Sequence, residues 1–424
     1  MLKSLPTTGI PADEMLDQLA ALKSLDIDWR SGKVFAYVFH ATETAERLGE
    51  RAYRMYLWEN GLDPTVFRSL MKFETEIVAM AAAHLGGDDA VTGNFTSGGT
   101  ESVMLAVKAA RDWARAHKPH VREPELVLPV TAHPCFHKAA HYLCLRTRVV
   151  DVDPETFTPA PADVAAAIND NTIMLAGSAP SFAHGVVDPI ESLATLAREH
   201  TLWLHVDGCI GGWMLPLFER LGVAVPPFDF RVDGVHSLSV DLHKYGFAPK
   251  GASVVLYRNS QLRKYQIFTH SGWTGYPLVN PTLQSSKSGG PLAAAWAVLQ
   301  HLGEAGYMEI ARQLKATTDR VRAGIAALDG FRILGTPQMS LLAIGSDNVN
   351  LYELCDLMHA RGWHVQLQPR VGALPENIHL TIIPLNADQI DGLLADLAVC
   401  ADKARGVPPS PLVAQLEQMV ASLD

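Results

Sequence analysis

The stretch Val240-Asp241-Leu242-His243-Lys244-Tyr245-Gly246-Phe247-Ala248-Pro249-Lys250-Gly251 decides how this chain is read. It joins two apolar runs with strand character, 234–240 and 252–257. Two lysines, a histidine, two glycines and a proline share one short connection. Strand ends on a rigid sheet are where reactive side chains are best positioned. Lys244 is therefore a candidate for an amine that bonds covalently to a carbonyl, provided the chain supplies the other parts such a site needs.

Outward from that stretch, residues 61–300 alternate between apolar strands and amphipathic helices. Strand character is clear at 126–130, 148–152, 172–177 and 202–207, and helical spacing at 69–85, 103–117, 134–142, 162–168 and 189–200. Nearly continuous apolar strands separated by helices predict a mostly parallel sheet covered on both faces. Residues 1–60 read as an N-terminal arm, with helical pieces near 11–25 and 42–58 around the extended aromatic run Val34-Phe35-Ala36-Tyr37-Val38-Phe39-His40. Beyond 300 the composition shifts. Helices at 307–328, 352–361 and 387–405 alternate with strands at 331–334, 340–344, 363–367 and 378–383, so 301–424 read as a smaller α+β domain. The expected division is thus arm 1–60, large domain 61–300 and small domain 301–424.

The chain has 424 residues, 48% hydrophobic and 19% charged, with a formal net charge of -10. Such a composition supports a large core and argues against disorder. The acidic balance disfavours nucleic acid and anionic membranes as principal partners. Cys135, Cys144, Cys209, Cys355 and Cys400 are odd in number and form no CxxC pair, so they read as scattered buried thiols in a reducing compartment. The N-terminus has Lys3 but no long apolar segment after it, so no signal peptide is expected. No run approaches the roughly 18 apolar residues of a membrane span. The expectation is a cytoplasmic protein.

Four features supply the remaining parts. Thr96-Ser97-Gly98-Gly99-Thr100-Glu101-Ser102 leads directly into a helix, where free N–H groups and small residues make an anion site and Thr100 and Ser102 add hydroxyls; simple helix capping is the competing reading. Asp207 ends an apolar strand before Gly208, so its carboxylate points at the ligand crevice of a parallel sheet, unless it merely forms a turn. His133 follows another strand and could stack on an aromatic ligand. Its spacing of four from His137 and His141 invites a metal reading, which Pro134, Lys138 and the lack of a nearby acid disfavour. Lys244 and Lys250 supply amines, expected to be partly neutral through burial beside other cations, and His243 can donate to a phosphate. A phosphate turn, a stacking residue, an acid for a pyridine nitrogen and a lysine occur in that order, each at a strand end. Together they predict pyridoxal 5'-phosphate as the cofactor and no metal.

These residues resemble the fold type I pyridoxal-phosphate enzymes, in the group II decarboxylase branch, and within it the sphingosine-1-phosphate lyase family. The resemblance is carried by the glycine-rich turn, by Thr131-Ala132-His133, by His184-Gly185-Val186-Val187-Asp188-Pro189, by His205-Val206-Asp207-Gly208-Cys209-Ile210-Gly211-Gly212 and by the His243–Gly251 string, and spans about 58–305. It implies an aspartate-aminotransferase-like α/β fold with a smaller C-terminal α+β domain. It also implies roles: Lys244 as the Schiff-base lysine, Asp207 on the pyridine nitrogen, His133 stacked on the ring, Gly99, Thr100 and His243 on the phosphate, and Lys250 in proton transfer. A homodimer with shared sites follows from the same resemblance, with the arm around Phe39 and Asn60 reaching the partner.

The chain departs from that family at Phe39, where a tyrosine is expected, at Asp63, where a histidine is expected, and at Lys287, in place of an arginine. The loop Thr274-Gly275-Tyr276-Pro277-Leu278 is also altered, and no membrane anchor is seen. The cofactor-facing residues are retained and the substrate-facing ones changed. Three readings stay open at this point. The first is a carbon–carbon lyase cleaving a phosphorylated amino alcohol or related β-hydroxy amine to an aldehyde and an amine through a Schiff base that displaces Lys244. The second is an amino-acid decarboxylase of the same fold, and the third a silent cofactor-binding protein, against which Lys244 speaks. In the first two, Lys250 and Lys287 are candidate anion contacts.

Overall fold

A computed structural model describes residues 4–63 and 65–408. Residues 1–3 of the expected arm, Pro64 of the expected large domain and residues 409–424 of the expected small domain lie outside the described residues.

The arm carries helices α1 (Ala12–Lys23) and α2 (Glu43–Met55). The apolar face expected near 11–25 is solvent-facing in the chain itself: α1 has no buried residue, and Leu16, Leu19 and Leu22 are exposed. Then follow α3 (Arg68–His84), β1 (Thr92–Thr96), α4 (Gly99–His117), β2 (Glu125–Pro129), α5 (Cys135–Tyr142) and β3 (Arg146–Val150). The alternation continues through α6 (Pro161–Ala167), β4 (Thr172–Ser178), α7 (Ile190–Glu199), β5 (Trp203–Asp207), α8 (Leu215–Arg220), β6 (Ser237–Val240) and β7 (Ser253–Tyr257).

These strands form one seven-stranded sheet in the order β1-β7-β6-β5-β4-β2-β3. The β2–β3, β2–β4, β4–β5 and β5–β6 pairs are parallel, whereas β6–β7 and β1–β7 are antiparallel. β2, β4, β5 and β7 are buried along their length because both faces are covered, whereas the edge strand β3 is largely exposed. Val127, Leu204, Val206, Val254 and Leu256 join the core under α3 and α7, while Leu126, Leu128, Trp203, Val255 and Tyr257 join a second core with α4 and α5. That period-2 division is the geometry of a strand buried on both sides.

β1 was not foreseen. Gly93 and Asn94 interrupt its Thr, Phe and Thr residues, and both are poor strand formers. The glycine is required there because a Cβ would run into the Val255 carbonyl of β7. Since β7 reverses direction and β1 reverses it again, β1 runs with the parallel set. Its end at Thr96 therefore opens on the same edge as Asp207 and Val240, which brings the glycine-rich turn to the lysine loop.

A short helix α9 (Ser260–Arg263) and a hairpin of β8 (Phe268–His270) and β9 (Leu278–Asn280) follow. The helical stretch α10 (Gly289–Ala327) then crosses the expected junction near 300, kinked at Gly303, whose φ is 54° and ψ -177°. The helix expected at 307–328 is thus only its second half. Next come β10 (Phe331–Ile333), β11 (Leu341–Ser346), α11 (Leu351–His359), β12 (Gln366–Gln368), β13 (Asn377–Thr381) and α12 (Ile390–Ala404). Their strands form an antiparallel sheet in the order β10-β11-β13-β12. The arm is tied to it: Val34 bridges His364, the Phe35 N–H donates to the His364 carbonyl at 2.9 Å, and the Phe35 carbonyl accepts from Thr381 N–H at 2.7 Å. Among the described residues no helix is long and apolar enough to cross a membrane.

Candidate active site

The carboxyl ends of the parallel strands and the start of α4 enclose a cavity of about 610 Å³. The sheet contributes Ser178 and Asp207 directly, and the loops after β2 and β6 contribute His133, Asp241, His243 and Lys244. Gly98, Gly99 and Thr100 close one end, while Tyr37 and Phe39 of the arm and Gln366 and Thr381 of the small-domain sheet form the mouth. Of the residues expected at the site, Lys244, Asp207, His133, Gly99, Thr100 and His243 all line this one cavity. Lys250 does not. It lines an adjoining cavity of about 360 Å³ that shares Phe39 and His243 with the first.

Lys244 Nζ lies 2.9 Å from Asp241 Oδ2, and the Asp241 side chain is only 2% exposed. Burial alone would lower the pKa of the Lys244 amine, but Asp241 overrides it and the net shift is upward. Burial likewise pushes the Asp241 carboxyl up, and Lys244 and His243 hold it below the ordinary carboxylate range. The expected easing of the Lys244 proton by neighbouring cations is therefore corrected: Lys244 is a buried ion pair. The amine with a depressed pKa is Lys250, lowered to about 8 by burial and by the nearby charge of Lys244.

His243 Nδ1 accepts from the Ala252 N–H at 3.1 Å, which leaves its proton on Nε2. Its pKa is lowered by burial, so the ring enters as a neutral donor. His133 Nδ1 accepts from the Cys135 N–H at 3.1 Å, fixing the ring at the head of α5. Asp207 Oδ1 accepts from the Cys209 N–H at 3.0 Å at the end of β5. Glu101 turns back from the first turn of α4, accepting from Ser97 N–H at 2.7 Å and from Leu283 N–H at 2.8 Å. No side chain caps α4 at Gly98, so the first-turn N–H groups face the cavity end without an intrahelical acceptor. Ser102, expected to add a hydroxyl there, instead bonds Thr96 and Ser253 hydroxyls at 2.6 and 2.9 Å and is fully buried.

These residues fit a flat aldehyde bearing a phosphate. The cradle must be glycine: a Cβ on Gly99 would lie 2.8 Å from Asp241 Oδ2 and 2.8 Å from Cys209 Sγ. The α4 start could supply N–H donors for the phosphate, Lys244 an amine for the aldehyde and Asp207 a carboxylate for a ring nitrogen. Gly99→Ala is accordingly expected to lose about 1–3 kcal/mol of stability through overpacking and to retain less cofactor after desalting. Denaturant titration and cofactor absorbance read the two effects separately.

Asp241 is the main residue the sequence reading did not assign. It directly follows β6 as Asp207 ends β5, and it stands three residues before Lys244, so a strand-end signal like that used for Asp207 was present. Tyr37, Gln366 and Thr381 had no such signal, because only tertiary packing brings the arm and the small sheet to the mouth. Lys287 is placed elsewhere: its Nζ is 2.8 Å from Glu74 Oε2, beside a separate small cavity. Asp63 is exposed, with its carboxylate bonded to Thr65 N–H and hydroxyl at 2.8 and 2.7 Å. Cys144 is exposed and the other four cysteines are buried, so the thiols are not uniformly interior.

Comparison with known proteins adds to this geometry. Residues 65–344 match the model of the pyridoxal-dependent decarboxylase conserved domain. The chain is 40% identical over 415 residues to a sphingosine-1-phosphate lyase of Oryza sativa subsp. japonica, covering 95% of this chain and 75% of that one. It is 38% identical over 406 residues to a sphingosine-1-phosphate lyase of Dictyostelium discoideum, with 96% and 76% covered. The solved structure of a Burkholderia pseudomallei sphingosine-1-phosphate lyase superposes with a TM-score of 0.92 at 34% identity, covering 100% of this chain and 96% of that one.

Proposed function

The chain belongs to the pyridoxal-dependent decarboxylase family, as a homologue of its sphingosine-1-phosphate lyases, and from that premise we propose that it cleaves a phosphorylated amino alcohol between its amine-bearing and hydroxyl-bearing carbons. The products are an aldehyde and a phosphorylated amine. The observation that carries this reading is the meeting, in one cavity, of an anion cradle, a single lysine amine and a carboxylate on a strand end.

When bound, pyridoxal phosphate supplies an electron sink for the pair released by the broken bond. Lys244 would hold it through Nζ, Asp207 would pair with its ring nitrogen, and His133 would lie against its ring. Gly99 and Thr100 N–H groups with His243 Nε2–H would hold its phosphate. Asp241 is the counter-ion of Lys244 and keeps that amine charged and oriented until it reacts. Lys250, with its pKa lowered to about 8, carries a neutral fraction near neutral pH and is suited to take the hydroxyl proton as the carbonyl of the aldehyde forms. The proton is returned at the amine-bearing carbon, which balances the cleavage. We read the protein as a cytoplasmic homodimer. That reading accords with four buried unpaired cysteines and with the exposed aromatics Trp58, Trp273 and Tyr276, which a partner subunit could cover.

The test supplies the cofactor-loaded protein with phosphorylated amino alcohols of several chain lengths and, in parallel, with an amino-acid panel. Aldehyde and phosphorylated amine should appear in equal amounts without carbon dioxide. Carbon dioxide from an amino acid, with no aldehyde from any amino alcohol, would replace the lyase by a decarboxylase.

A further inference from the structure

Tyr37 stands where the arm leaves the small-domain sheet. Upstream, Val34 and Phe35 are paired to His364 and Thr381. At Tyr37 the chain folds back: φ is +64°, and the Val38 N–H donates to the Ala36 carbonyl at 2.8 Å. A three-residue turn with positive φ at a bulky centre is rare and strained. Strain of this kind persists only where the surroundings over-determine it, and it concentrates at functional sites.

The turn has one specific consequence. The Tyr37 carbonyl accepts from Lys250 Nζ at 3.0 Å, and the His243 carbonyl accepts from the same amine at 3.4 Å. Nζ also lies 5.0 Å from the Phe39 ring centroid. The charged and titratable groups around it are Lys244, Asp241 and His243 of the lysine loop, His40 of the arm, and Glu46 and Glu50 of α2 across the adjoining cavity. Among the described residues Lys250 makes no ion pair with any of them, so two carbonyl dipoles and an aromatic face hold the amine.

We propose that Tyr37 is a positioning residue for Lys250: its strained turn aims the main-chain carbonyl at Nζ and holds the amine between the lysine loop and the Phe39 ring. This rests on the reading of Lys250 as the proton-transfer group, but it concerns the backbone of Tyr37 rather than its phenol. Lys250 is an exposed residue, so an amine released from Tyr37 moves into water and away from Lys244, and its pKa rises toward the ordinary lysine value of about 10.4.

The experiment measures acylation of Lys250 by acetic anhydride against pH in the cofactor-loaded protein, resolved by mass spectrometry. Tyr37→Gly and Tyr37→Asn tolerate positive φ and should titrate as the parent protein does. Tyr37→Val resists positive φ, and its midpoint should rise by about one unit or more, seen as acylation slower by roughly fivefold or more at pH 8. If the valine variant does not fold, Tyr37→Ala takes its place with a smaller shift. A valine or alanine variant that titrates like the parent overturns the proposal. So does a glycine variant that shifts as far, because the ring would then be the cause. Lys250→Met releasing aldehyde at the parent rate would remove the proton role from Lys250 and leave the acylation result to decide the position of Tyr37.

Discussion

Lys244→Ala is expected to lower aldehyde release on the order of 10⁴-fold, the scale of removing the covalent group of a site, and to yield protein that loses its cofactor absorbance on desalting. The reason is that, among the described residues, no second amine lines the cavity. Lys250 is held on the far side of shared residues by the Tyr37 carbonyl, and Lys287 is committed to Glu74. The alanine variant also strands Asp241 without its counter-ion, which would confuse a loss of chemistry with a loss of folding. Lys244→Arg separates them, since it keeps the charge beside Asp241 but forms no stable bond to an aldehyde. The arginine variant should fold and still lack the absorbance. An arginine or alanine variant that keeps the band, with borohydride fixing the cofactor to another lysine, would show that Lys244 is not the point of attachment.

The parts of the architecture set by local pattern were legible beforehand. Apolar runs such as Leu204 to Val206, ending in Asp207 and followed by glycine, state both a doubly covered strand and the edge on which a ligand binds. β1 was hidden because Gly93 and Asn94 answer to a tertiary demand, the closeness of β7, rather than to strand propensity. The α10 boundary was hidden for a related reason: Gly303 kinks a helix that the composition reads as a domain edge. At the site, residue identity could be read but electrostatics could not. Lys244 and Lys250 are six positions apart on one loop, yet one is held charged by a buried aspartate and the other is depressed by burial and by its neighbour. Only distances distinguish them. The resemblance also directed attention to Asp63 and Lys287, which the fold places outside the cavity, and away from Tyr37, which the fold brings to its mouth.

Asp241→Asn is expected to destabilise the cofactor-free protein by about 3–5 kcal/mol, because it leaves the Lys244 ammonium buried without a compensating charge. Chemical denaturation against pH gives this its shape. Asp241 has a folded pKa below its ordinary value. Its contribution is therefore present above about pH 3.9 and is lost as pH falls through the lower folded value. Lys244 has a raised folded pKa. Its contribution is complete below about pH 10.4 and is lost as pH rises through the folded value. The stability difference between parent and variant should thus be flat from about pH 4 to about pH 10 and narrow outside that window. A difference that changes steeply between pH 6 and 8 would point instead to His243, whose Nε2 lies 3.7 Å from Asp241 Oδ2, and would sink the two-body account. Loading the cofactor sharpens the comparison. A covalent bond at Lys244 Nζ alters the charge that Asp241 faces, so the cost of Asp241→Asn should differ between loaded and stripped protein. An equal cost in both would mean that the group bound in the cavity does not engage the amine that Asp241 holds.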